Sequence, residues 1–151
     1  MNEIISIEER CFPPHEAASI DAMAERIVLI ADSFILAKNK AGSIMRYVVG
    51  PVTEERYITD ELFSRSTPNP QEGGSQTILS LATNPDFQGL GVASALLKEL
   101  ERVCRTKKRI GISLTCLERL IPFYERQGYT NEGVSASEHG GEKWYNLVRI
   151  L

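Results

Sequence analysis

The stretch ILSLATNPDFQGLGVASALLKELE, residues 78–101, decides the fold. Its first half is apolar and reads as a buried strand, residues 77–83. Its second half repeats Val92, Leu96, Leu100 and Val103 at helical spacing, which predicts a helix over 90–105 with those side chains facing inward. Between them lies a turn carrying Gly89 and Gly91 at the helix entrance. That order aims several backbone N–H groups at one spot, at the positive end of a helix dipole. Such a spot holds phosphate or pyrophosphate.

Three phosphate motifs can be tested against this turn. A Walker A loop ends in Gly-Lys-Ser/Thr, but Gly91 is followed by Val92 and Ala93. A dinucleotide fingerprint needs G-x-G-x-x-G. Gly89 and Gly91 fit it, position 94 is Ser, and Asn84-Pro85-Asp86 lengthens the turn. A Gln/Arg-x-x-Gly-x-Gly/Ala loop is met by Gln88, Gly91 and Ala93. Small residues there let a pyrophosphate sit against the backbone. Taken alone, the same residues also describe a helix start with no ligand.

Working outward, residues 109–115 form another strand. Residues 117–127 form a helix closed by Gly128 as a left-handed cap, and residues 129–130 and 143–150 are final strands. Arg105, Lys107, Lys108 and Arg109 suit the C-terminus of the long helix. On the other side, STPNPQEGGS (66–75) is a Pro/Gly/Ser loop, and residues 57–65 suggest a short helix. Residues 32–38 and 44–49 read as a hairpin around a turn ending in Gly42. Two helical patterns precede it. One runs over 2–12 with Ile4, Ile5, Glu8 and Cys11 at helical spacing, and Pro13-Pro14 stops it. The other runs from His15 to about Ile30, with Ala18, Ala22 and Arg26 recurring and Ile20, Met23 and Ile27 as its apolar stripe. The sum is a mixed α/β sheet in one domain spanning residues 1–151.

Composition bounds the function. The 151 residues carry 42% apolar and 25% charged side chains, as an ordinary globular domain does. Seventeen basic against 20 acidic residues give a net charge of −3, with no electrostatic reason to bind nucleic acid. No apolar run approaches the roughly 18 residues of a membrane span. MNEIISIEERCF lacks a basic n-region, so cytoplasmic residence is expected. Cys11, Cys104 and Cys116 are far apart, with no C-x-x-C and no His at ligand spacing. They read as reduced, mostly buried thiols, and no metal is expected.

The strand, the QGLGVA turn, the helix, the next strand and then TCLERLIPFYERQGY (115–129) together resemble the GNAT superfamily of acetyl-CoA-dependent N-acetyltransferases. The resemblance runs from about Glu8 to Val148. CFPPHEAAS (11–19), LTCLERLIPFYERQGY and SASEHGGEKWYN resemble the arylalkylamine N-acetyltransferase-like branch, which includes polyamine acetyltransferases. The resemblance implies a GNAT-like mixed sheet, splayed at the strand before the turn and flanked by helices, with acetyl-CoA as co-substrate. The backbone of residues Leu81, Ala82 and Thr83 would receive the pantetheine, with Leu81 and Thr83 as its partners. The amides of Gln88, Gly89, Leu90, Gly91, Val92 and Ala93 would hold the pyrophosphate. Tyr124 matches the family's general acid, near the CoA sulfur; read alone it is better described as an amphipathic core residue beside Phe123. Glu16 aligns with a carboxylate used as base through a water; read alone it is a first-turn helix glutamate. His15 and His139 are chemical candidates and also plain surface histidines.

Two departures from the resemblance stand out. Vertebrate arylalkylamine acetyltransferases carry two histidines on the central strand, where this chain has Thr77 and Leu79, so a histidine relay there is not expected. The helical pattern starting almost at Met1 also leaves the family's usual first strand without a counterpart. The expected partner is a small-molecule amine, an aralkylamine or polyamine, with a homodimer as an allowed assembly. Glu16, Asp60 and Glu72 are candidate attractors of its ammonium form. Two other readings stay open: a peptide N-terminus or lysine as acceptor, which needs an open groove rather than loops 66–75 and 131–142 over a pocket, and a non-catalytic acyl-CoA sensor that would not depend on Tyr124.

Overall fold

The structure is a computed structural model and describes residues 1–87, 92–137 and 141–151. Helices α1 (Asn2–Cys11) and α2 (Ile20–Leu29) come first, followed by strands β1 (Phe34–Lys38), β2 (Ile44–Val49) and β3 (Val52–Thr53). Then come the short helix α3 (Glu61–Ser64), β4 (Ser75–Ile78), β5 (Ser80–Thr83) and the long helix α4 (Val92–Thr106). The chain closes with β6 (Gly111–Cys116), α5 (Ile121–Arg126), β7 (Thr130–Val134) and β8 (Tyr145–Ile150). No helix among the described residues is long and apolar enough to cross a membrane.

The strands form two sheets, a three-stranded one in the order β1-β2-β5 and a five-stranded one in the order β3-β4-β6-β8-β7. The single strand expected over 77–83 is therefore two strands, separated only by Leu79 and lying in different sheets. β4 runs parallel to β6, with Ile78 opposite Leu114, whereas β5 is antiparallel to β2, with Leu81 opposite Val48. The chain crosses between the sheets a second time at Gly50–Pro51, between β2 and β3.

Polar bonds pin the two crossings together. Thr77 donates to the Pro51 carbonyl through its amide (3.0 Å) and its Oγ1 (2.7 Å). The Gly50 carbonyl accepts from Gln76 Nε2 (2.6 Å) and Ser33 Oγ (2.7 Å). A Cβ at Gly50 would lie 2.1 Å from the Thr77 carbonyl oxygen, an approach only glycine permits. Gly50→Ala is therefore expected to cost about 3 kcal/mol, because the obstacle is backbone and cannot rotate away. Urea unfolding measures it, and a loss under about 0.5 kcal/mol, the range of a neutral surface change, would show that the corner gives way.

Each sheet face has its own core. Val48, Ile78, Leu96, Leu97, Leu100, Cys104, Ile112, Leu114 and Leu147 pack together on the side of α4 and α5. Ile4, Ile7, Met23, Ile30, Ile44, Tyr47, Val49 and Ala82 pack on the side of α1 and α2. β2 serves both, because alternate side chains point to opposite faces.

Several boundaries differ from expectation. The second helix begins at Ile20 rather than His15. Ser19 caps it, its Oγ accepting from the Ala22 amide at 3.0 Å, while residues 13–18 form a turn closed on the Pro13 carbonyl. The buried face of α2 is Ala22, Met23 and Arg26, and Ile20 is exposed. Leu97 and Cys104 join Leu96 and Leu100 on the buried face of α4, whereas Val103 is half-buried. Arg109 bonds the carbonyls of Pro70 (2.9 Å) and Gly73 (2.8 Å), so the Pro/Gly/Ser loop is tied to the turn after α4. Gly128 (φ +95°) ends α5 as the left-handed cap the sequence predicted.

Candidate active site

The divergence of β5 from β4 leaves β5 as an edge strand. The Asn84 amide bonds the Met45 carbonyl (2.8 Å) one step beyond the β2–β5 register. Antiparallel ladders alternate, so Ala82 pairs inward with Tyr47 while the backbone groups of Leu81 and Thr83 face the opposite edge. The Cys11 thiol at the end of α1 donates to the Thr83 carbonyl at 2.9 Å. Ala82 also buries its methyl in the α1–α2 core, and Ala93 is half-buried in the first turn of α4. Residues 88–91 and the side chain of Val92, expected to hold pyrophosphate, lie outside the described residues, as does His139.

Below this edge is a cavity of about 370 Å³. Its wall is built from the end of α1 and the turn after it (Glu8, Phe12, Glu16, Ala17, Ala18), from α2 (Arg26), from the α3 segment (Asp60, Phe63, Ser64) and from the β4–β5 junction (residues 78–81). The end of β6, Leu120, Tyr124 and Trp144 complete it. Glu16 and Tyr124, far apart in sequence, thus share one cavity. Asp60 also lines it, whereas Glu72 does not and instead faces Lys108 at 3.7 Å. Thr77 is buried in its bonds to Pro51, and Leu79 lines the cavity wall.

Tyr124 is 7% exposed and packs edge-on against Phe123 (5.0 Å between ring centroids) and Tyr129 (5.7 Å). Burial raises its pKa well above the ordinary phenol value. A negative charge at Cys116 would raise it further, and the Arg46 guanidinium pulls it down. The phenol is therefore a proton donor across the physiological range and not a base. Burial pushes the Cys116 thiol up to about 11 and the Cys104 thiol up to about 12, so neither supplies a thiolate nucleophile near neutrality. All three cysteines are free thiols.

Glu16 does not lie in a helical first turn. Its amide closes the turn on Pro13 (2.9 Å), and only 9% of its side chain is exposed. His15 Nε2 is 3.9 Å from its carboxylate, and His15, Glu16 and Glu142 bring their ligand atoms within 4.8 Å of one another. Glu142 belongs to the C-terminal loop, which also reaches the cavity rim through Ser137 Oγ, a donor to Asp60 at 2.5 Å. Ser137 and Glu142 of loop 131–142 thus approach the lining residues Asp60 and Glu16, while no residue of either loop 131–142 or loop 66–75 is among the described residues that line the cavity.

Sequence reasoning missed two charged residues. Glu8 is 2% exposed and accepts from Tyr47 OH (2.5 Å), the Ala18 amide (2.8 Å) and Ser80 Oγ (3.4 Å). Arg26 is 1% exposed and donates from Nη2 to the Phe63 carbonyl at 2.9 Å. Its Nε and Nη1 have no hydrogen-bond partner among the described residues. Burial lowers the Arg26 pKa and the Glu8 carboxylate opposes that shift. The signal was present: Glu8 and Arg26 both fall on the buried stripe of their helices, where a charge needs a reason.

β5 thus leaves the five-stranded sheet as an edge strand beside a cavity that Tyr124 and Glu16 both line. The chain belongs to the acetyltransferase (GNAT) family, whose profile matches residues 1–129. Members of that family use acyl-CoA. Among solved structures, GphF, a GNAT-like decarboxylase in complex with isobutyryl-CoA, aligns with a TM-score of 0.81 at 13% identity, covering 99% of this chain and 93% of that one. Ard1 from Thermoplasma volcanium aligns at 0.67 and 20% identity, covering 99% and 92%. Naa20 from Chaetomium thermophilum, in complex with a bisubstrate analogue, aligns at 0.64 and 15% identity, covering 100% and 84%. At these identities the likeness is one of fold. Comparison with curated proteins returned no match.

Proposed function

We propose that this chain transfers the acetyl group of acetyl-CoA directly to a small primary amine, in the manner of the arylalkylamine and polyamine acetyltransferase branch. The observation that carries the reading is the convergence of Glu16 and Tyr124 on one cavity beside the outward-facing backbone of Leu81 and Thr83. Acetyl-CoA supplies an activated acyl group. The edge of β5 aligns its pantetheine, and an amide there polarises the thioester carbonyl. Glu16 takes a proton from the incoming ammonium through a water, and Tyr124 gives one to the departing thiolate.

A cavity of about 370 Å³ is of small-molecule size and favours a small amine over a peptide segment. Of its lining carboxylates, Glu16 and Asp60 favour a cation. The test is thiol release from acetyl-CoA with tryptamine, phenethylamine, spermidine and a lysine peptide. Release with the small amines supports the reading, release with the peptide alone replaces the acceptor, and release with none leaves an acyl-CoA-binding sensor.

Glu16→Gln tests the base. A base works only when deprotonated, so the wild-type kcat/KM profile should have an acidic limb that depends on Glu16. The variant should lose that acidic limb and about ten-fold or more in rate, below the usual range for acid–base groups because water still reaches the site. An identical pH profile in the variant would return Glu16 to a structural role.

A further inference from the structure

We infer that Arg26 receives a carboxylate carried by one of the two substrates, so that the cavity selects an anionic group as well as an amine. The inference rests on the acyl-transfer reading for which substrates are meant, but not for the site itself. Arg26 is the only cation among the described residues lining the cavity, and it is 1% exposed. A guanidinium carries five N–H donors and stays charged when buried. One nitrogen is used by Phe63, and those of Nε and Nη1 have no partner among the described residues. Glu8 is near enough to offset the charge, yet its carboxylate is engaged by Tyr47, Ala18 and Ser80 and makes no ion pair with Arg26. Buried donors are almost always satisfied, and Nε and Nη1 are fully covered beneath the cavity wall, so a planar anion completes them by displacing the side chains over the guanidinium.

Glu16 and Asp60 line the same cavity, so an ammonium and a carboxylate on one small molecule would each meet an opposite charge. An α-amino acid has that form. The alternative source of the same chemistry is the acyl group, as in the thioester of a dicarboxylic acid. In both cases the recognised group is a carboxylate.

Matched pairs separate the sources. The acceptor arm compares L-phenylalanine with phenethylamine and L-ornithine with putrescine, using acetyl-CoA. The acyl arm compares malonyl-CoA and succinyl-CoA with acetyl-CoA. Each pair is read by thiol release and, independently, by calorimetric binding. The carboxylated member of one arm should be preferred about 10²-fold, the scale of a buried charge pair. Arg26→Met should abolish that preference, and Arg26→Lys should retain part of it. Equal treatment of every pair by the wild-type protein overturns the inference and needs no variant, so a poorly folding Arg26→Met does not protect it. Persistence of the preference in a folded Arg26→Met also overturns it. If no thiol is released with any pair, the acyl-transfer reading fails, and carboxylate-selective binding lost in Arg26→Met still upholds the site.

Discussion

Tyr124→Phe should lower kcat about a hundred-fold, the low end of what a positioned general acid contributes, with acetyl-CoA affinity nearly unchanged. The substitution removes one hydroxyl and keeps the ring that packs on Phe123 and Tyr129, so the cavity wall persists. A single-turnover measurement isolates the chemical step, and an unchanged rate there would remove Tyr124 from the reaction. The pH profile gives a second reading. An acid works while protonated and fails as pH rises above its pKa. Burial lifts that pKa above the ordinary phenol value of about 10, so no alkaline limb owed to Tyr124 should appear below about pH 10. An alkaline limb near pH 8 that vanishes in Tyr124→Phe would contradict the buried-phenol assignment.

Glu8→Ala should destabilise the protein by about 4 kcal/mol, because removing one member of a buried charged network leaves the others uncompensated. Tyr47 OH, the Ala18 amide and Ser80 Oγ would lose their shared acceptor. Arg26, already desolvated, would lose the carboxylate that supports its charge. For a chain of this size the melting temperature should fall by about 10 °C. Glu8→Gln keeps an acceptor and the shape, and should cost only about 1–2 kcal/mol. Equal losses for the two variants would mean that the charge accounts for the whole effect and that the retained acceptor and shape add nothing.

Much of the fold was legible because its periodicities are strong. The helical repeat of α4, the hairpin before it and the Gly128 cap follow from local rules, and the structure keeps them. The break at Leu79 is not a local property. Residues 77–83 look like one strand, since nothing in ILSLAT reports that Thr77 will be claimed by Pro51 while Leu81 is claimed by Val48. The start of α2 was misplaced for a related reason: the turn over 13–18 is held in part by Glu8, which belongs to a different helix. Tyr124 and Glu16 were found through motif resemblance, and their common cavity is a matter of topology alone. Glu8 and Arg26 were visible as charges on apolar stripes. Their role was not, because burial depends on the partner that each helix finds.

The two cores meet at β2, which sends Val48 to one and Tyr47 and Val49 to the other. Neither half of the sheet can therefore lose its packing without disturbing the strand that supports the other. Unfolding should be a single cooperative event, and the slowest-exchanging amides should cluster in β2 and its partners β1 and β5 rather than divide into two independent groups. The cavity hangs from that shared strand through β5, so its walls inherit the rigidity of the most protected part of the molecule.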